Sequence, residues 1–195
     1  MRYLRSVSPP SGDWTTRHSV LTMARRAAAL VNVLTADRPD PDEVAEVLRA
    51  YGEREPLDLA GDDIADLRAA AVLLREVFLA ADVDIAAATL NRLLSENTGP
   101  LRLTSHDGGT PWHPHLDRAD DGPWGAWLLA SSCLALTVLV WDHQRPPGRL
   151  CASSDCRQVF VTQGAGPERR YCSRRCATRE RVAAHRRAKR SQGPS

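Results

Sequence analysis

Four cysteines near the C-terminus constrain this chain more than any other feature. They run Cys151-x4-Cys156, then fifteen residues, then Cys172-x3-Cys176. Two close pairs around a short loop suit one tetrahedral Zn²⁺ with four thiolate ligands. The opening stretch MRYLRSVSPPSGDW lacks the apolar core of a signal peptide. Thiols that are not exported stay reduced, which favours a metal over disulfides. Four protein ligands leave no position for water, so the expected zinc is structural and not catalytic. A unit of about 40 residues buries too little apolar surface to fold alone, so the metal must supply folding energy on the order of 10 kcal/mol.

The segment between the pairs, RQVFVTQGAGPERRY, holds Val159-Phe160-Val161, a turn around Gly164–Pro167 and a return ending at Tyr171. We read a β-hairpin there. Ser173 then opens a helix carrying Cys176, whose thiolate gains from the helix dipole. Knuckle, hairpin and helix together describe a treble-clef-like module.

Charge is unevenly divided. From residue 151 onward there are eleven Lys/Arg and three Asp/Glu. Of the chain's 26 basic and 24 acidic residues, that leaves 15 and 21 before it. An acidic body carries a basic end, which points to a polyanionic partner. Wound as a helix, residues 174–190 place Arg175, Arg179, Arg186 and Arg190 on one side and Ala177, Ala184 and Ala188 on the other. The alanine stripe is expected to lie on the body. Arg170, Arg174 and Arg187 add to the field, as do Arg169, Arg181 and Lys189. Guanidinium forks match phosphate, and a positive helix fits a major groove. The expected partner is therefore DNA; stacking aromatics for single strands are missing. A solvated basic tail, or a zinc-stabilised protein-interaction or ligand-receptor module without direct DNA binding, is the alternative.

Upstream, the pattern is helical. Apolar spacing predicts helices over about 16–36, 40–52, from 61 through Phe78, and 85–96. Asp40 and Pro41 sign one start, and Gly52 its stop. LRLTS and PWHPHL read as short strands around the turn His106-Asp107-Gly108-Gly109. Residues 124–141, WGAWLLASSCLALTVLVW, carry no charge and reach the length of a membrane span. Ser131, Ser132 and Thr137 dilute the run, and acids flank it rather than Lys or Arg, so we read a core helix and no membrane. Cys133 within it is a packed small side chain. HQRPPGR, 143–149, reads as a linker. The expected organisation is a disordered 1–14, a helical domain with a short β segment over 15–145, a zinc finger with a basic helix over 146–190 and a disordered 191–195. The fold class is mainly α.

The C-terminal residues resemble the CGNR zinc finger, named for the tetrad that begins at its last cysteine. The tetrad here is Cys176-Ala177-Thr178-Arg179, which keeps the cysteine and arginine and replaces the central Gly-Asn. The resemblance carries the metal ligands over as Cys151, Cys156, Cys172 and Cys176. Three upstream segments, AALVNVL (28–34), DLRAAAVLLREVF (66–78) and ATLNRLL (88–94), resemble the ABATE domain that precedes this finger. Val33 stands where threonine is common. The resemblance implies a stress-responsive transcription regulator and supplies no target or ligand. We expect the body to sense a small-molecule effector or to form a homodimer, and the missing signal peptide leads us to expect the cytoplasm.

Other residues invite chemistry. His113-x-His115 on a strand points both rings one way. With His106 and Asp107 near, they are candidate ligand or metal residues, against a plain hydrogen-bonded pair. Asn32, inside an apolar helix, must find partners, in the protein or in a ligand. Arg25 and Arg26 suit an acidic effector or surface salt bridges. WDHQRP (141–146) resembles the Asp-His-x-x-Pro stretch of HNH nucleases, but it precedes both cysteine pairs and follows a helix. We find no nucleophile-and-base pair and no phosphate loop, so no enzyme is expected.

Overall fold

The structure, a computed structural model, describes residues 19–53, 56–118, 122–163 and 169–191, with backbone alone at 190 and 191. The expected disorder of 1–14 and of the tail beyond Ser191, and the turn at 164–167, lie outside the described residues. Helices α1 (Val20–Leu34), α2 (Pro41–Ala50), α3 (Gly61–Leu79) and α4 (Val83–Asn97) lead into strands β1 (Arg102–Thr104) and β2 (His113–His115). Then come α5 (Trp124–His143), β3 (Gly148–Leu150), β4 (Val159–Val161) and α6 (Arg174–Ser191). The protein is mainly helical with two short antiparallel hairpins.

Local chemistry explains the boundaries. Ser19, Asp40 and Asp82 each accept a backbone N–H in the first turn of α1, α2 and α4, satisfying donors that no helical carbonyl reaches. Pro41 occupies the first turn of α2, and Gly52 follows it at φ +91°, a left-handed conformation that glycine adopts without strain. α5 ends on Gln144 at φ +50°.

α5 is the centre of the body. It packs against α1, α3 and α4, around fully buried Leu30, Leu34, Leu67, Leu74, Phe78, Leu93, Leu128 and Leu136. Length and composition would let α5 cross a membrane, yet half of its apolar window is buried inside the protein. Cys133 is fully buried there and its thiol is pushed up to about 12 by burial.

Arg26 corrects the expectation of a surface salt bridge. It is 8% exposed. Its guanidinium donates to Glu53 Oε1 at 2.7 Å and to Ser131 Oγ at 2.9 Å, and lies 4.4 Å from the Trp127 ring centroid. One cation thus ties α1, the end of α2 and α5 together. Burial lowers its pKa and raises that of Glu53, and their attraction opposes both shifts.

The C-terminal hairpin differs from expectation. β4 is where the sequence placed it, but its partner is β3, ahead of the first cysteine, and not the return toward Tyr171. The pairing Gly148↔Val161, Arg149↔Phe160, Leu150↔Val159 encloses the first cysteine pair. The segment 143–149, expected as a linker, is divided between the end of α5 and β3. Gly148 sits so close to α3 that a Cβ there would fall on the Phe78 ring and the Phe160 carbonyl. Val159 and Val161 join the same core as the helices. The hairpin is therefore seated on the body.

Candidate metal centre

β3 delivers Cys151, the loop after it Cys156, the segment before α6 Cys172, and the first turn of α6 Cys176. Their four Sγ atoms lie within 4.8 Å of one another. Cys172 Sγ is 3.7 Å from both Cys156 Sγ and Cys176 Sγ. A tetrahedral ion at a Zn–S distance of about 2.3 Å sets its sulfurs about 3.8 Å apart. The four cysteines fit one structural zinc ion, and all four ligand positions come from the protein.

Backbone bonds hold the knuckles open. Cys151 N–H donates to Gln158 O at 2.8 Å, Ala152 N–H to Arg170 O at 3.0 Å, and Cys156 N–H to Ser153 O at 3.0 Å. Ser173 Oγ accepts from Cys176 N–H at 3.3 Å. That hydroxyl leads the effects that draw the Cys176 thiol down to about 7, while burial and the three neighbouring sulfurs push Cys172 up to about 12. Four thiolates this close repel one another; a divalent cation removes the conflict. Cys151, Phe160 and Cys176 form a small buried cluster of their own, with Tyr171 against it.

The class is thus a four-cysteine zinc module built from a hairpin and a helix. Residues 149–189 match the family model of the CGNR zinc finger. The match covers about a fifth of the chain and speaks for this module alone. No curated protein matches the chain.

The basic residues divide in two. Arg179, the last of the tetrad, turns back: its Nε and Nη2 donate to Ser153 Oγ at 3.2 and 2.8 Å, and Nη2 lies 3.6 Å from Cys176 Sγ. Ser153 in turn donates to Glu180 Oε1 at 2.8 Å, which also accepts from Ser154 N–H at 3.2 Å. Arg179 and Glu180 brace the first knuckle from α6, so an arginine expected to point at phosphate has a structural anchor. Arg170 stacks near Tyr171, and Arg169 donates to Val161 O. Arg174, Arg175, Arg186, Arg187 and Lys189 are exposed. So are Ala184 and Ala188, and the alanine stripe therefore does not lie on the body as expected. The Arg190 side chain lies outside the described residues.

Asn32 uses both ends of its amide on one residue of the protein. Nδ2 donates to Val159 O at 3.0 Å, and Oδ1 accepts from Val159 N–H at 2.8 Å. It ties the edge of β4 to α1, the partner in the protein that the sequence required of it. Arg75 does similar work, donating to Arg157 O at 2.8 Å. His113 and His115 do face the same way, and the structure adds His106 from the preceding turn. From sequence His106 is only a neighbour, since its position depends on the β1–β2 register. That register pairs Arg102↔His115 and Thr104↔His113.

Proposed function

We propose that this chain is a DNA-binding regulator in which the zinc module presents α6 to the phosphate backbone. One observation carries the reading. The helix holds Arg174, Arg175, Arg179, Arg181, Arg186, Arg187, Lys189 and Arg190 against a single acid, Glu180, and that acid is turned inward onto Ser153 and Ser154. The second half of the helix is exposed on nearly every side. A rigid cationic rod with its only carboxylate withdrawn suits a groove lined with phosphates. In this reading zinc fixes the start of the rod, and Arg174, Arg175, Arg186 and Arg187 meet the nucleic acid. The helical body, ABATE-like by its sequence segments, senses an effector or dimerises. The protein works in the cytoplasm on stress-linked transcription and performs no catalysis.

The test is binding of the zinc-loaded chain to a fluorescent random-sequence duplex across a salt series. Arg186→Ala/Arg187→Ala should weaken binding and flatten the dependence of log K on log salt by about 0.9 for each phosphate no longer neutralised. Wild-type protein that ignores duplex at low salt would instead leave α6 as a surface for acidic proteins.

A further inference from the structure

A second cluster of metal-ligand side chains lies on the β1–β2 hairpin, away from the cysteines. His106, His113 and His115 turn their ring nitrogens to one point, within 4.8 Å of one another. His113 Nε2 is 3.2 Å from His106 Nε2 and 3.0 Å from His115 Nε2. All three are half-buried.

The outer nitrogens of two rings meet oxygen acceptors. His113 Nδ1 is 2.7 Å from Pro111 O. A carbonyl only accepts, so Nδ1 bears the hydrogen. His115 Nδ1 is 2.7 Å from Asp117 Oδ1, an oxygen that also accepts from Arg102 Nη2 at 3.0 Å. Asp117 is 8% exposed. The Nε2 atoms of His113 and His115 face each other across 3.0 Å. With Nδ1 turned to an acceptor, each of these rings directs its Nε2 into the cluster. A proton bridges one nitrogen pair at a time, whereas an ion at the centre serves all three rings.

The framework is what a metal site needs. His113 and His115 are two apart on one strand and share a face. His106 reaches them from a turn in which it and Asp107 both have left-handed backbones, at φ +46° and +56°. Neither is glycine, so these are conformations that L side chains adopt at a cost. Its backbone N–H is held by Thr104 Oγ1 at 3.1 Å. One carboxylate and one backbone carbonyl orient two of the three rings, the usual outer support of ligating histidines.

We propose that His106, His113 and His115 bind a second divalent transition-metal ion of the Zn²⁺ class, independent of the four-thiolate site. An ion with Zn–N bonds of about 2.0–2.1 Å holds tetrahedral nitrogens about 3.3–3.4 Å apart and facial octahedral ones about 2.8–3.0 Å apart. The two separations found fall within that span. Three imidazoles leave at least one coordination position for water or another small Lewis base, so this site is open where the cysteine site is closed.

The experiment is metal counting on the full chain, with cobalt as a reporter. Wild type dialysed against zinc should hold two ions per chain by mass spectrometry, and His113→Asn/His115→Gln should hold one. With Co²⁺, both proteins should show equal thiolate charge-transfer absorption, which tracks the cysteine site separately. The wild type alone should take up a further ion without adding to that absorption. One ion per chain in both proteins overturns the proposal, as does a second ion that the variant keeps. As a check that needs no variant, zinc titrated into one-zinc wild type should shift the ring ¹⁵N signals of all three histidines together. Unmoved rings overturn it too.

Discussion

The helical body and the zinc module solve the same problem with different means. The body closes α1, α3, α4 and α5 around large aliphatic side chains and Phe78. Among the described residues the module's own buried cluster is small, Cys151, Phe160 and Cys176, so its knuckles and the start of α6 depend on a metal. Between them lies β4, which belongs to both. Val159 and Val161 enter the body's core, Phe160 enters the module's, and Asn32 pairs with the strand's open edge. Alternation along three residues of one strand joins an apolar core to a metal core. The difference teaches that the two units should fail separately, with β4 as the boundary.

The largest effect should come from the metal. Removing zinc, or Cys172→Ser, withdraws binding energy on the order of 10 kcal/mol from the module. Hydrogen exchange should then show α6 and the knuckles unprotected, while α1, α3 and α5 keep their protection. Global unfolding on chelation would show instead that the body leans on the finger.

The next effect tests the body alone. Glu53→Gln leaves the Arg26 guanidinium buried without its counter-charge. Breaking a buried pair costs about 3–5 kcal/mol, and Glu53 keeps 26% of its side chain in solvent, so about 2–3 kcal/mol is expected. Denaturant melts should fall by that much with zinc content unchanged. A smaller loss in Arg26→Met/Glu53→Gln than in the single variant would locate the cost in the orphaned charge.

Asn32→Ala attacks the boundary. It removes two hydrogen bonds and leaves both polar groups of Val159 without their side-chain partner, a loss of about 2 kcal/mol. The signature should be faster exchange at Val159 and Phe160, with the cysteine site still loaded. Equal loosening throughout α1 would mean that Asn32 serves the helix and not the joint.

Much of this is legible in the sequence, for identifiable reasons. The helices carry period and punctuation: Asp40-Pro41 and Gly52 delimit α2, and Leu67, Leu74 and Phe78 mark the inner face of α3. Cysteine spacing reveals the metal site because ligand geometry is local within each pair. What escapes is non-local. PPGR reads as linker and so directs β4 to a downstream partner, and nothing local says that Gly148 is small in order to pass Phe78. Arg26 reads as a surface charge because Glu53, Ser131 and Trp127 come from distant segments. Helical angle alone groups Arg179 with the exposed arginines, and the angle does not reveal that Ser153 waits beside it. The trio of histidines needs the hairpin register before His106 joins the other two.

Glu180 gives the smallest effect and separates the module's protein braces from its metal. The Ser153 hydroxyl, then the Ser154 N–H and the charges of Arg187 and Arg179, hold its carboxyl below the usual range. A carboxyl whose pKa is lower folded than unfolded stabilises the fold above its ordinary pKa, and that contribution disappears as pH falls through the folded value. Wild type should therefore exceed Glu180→Gln in module stability at neutral pH, with the gap closing below about pH 4, the ordinary carboxylate range. Acid also strips zinc from thiolates, so zinc content must be followed in both proteins, and only points with equal loading compared. Unequal loading at neutral pH would itself be informative, because it would mean that the Ser153–Arg179–Glu180 brace sets metal affinity through the Cys176 sulfur that Arg179 touches. Equal loading with a gap that persists into acid would place the effect in side-chain shape and not in charge.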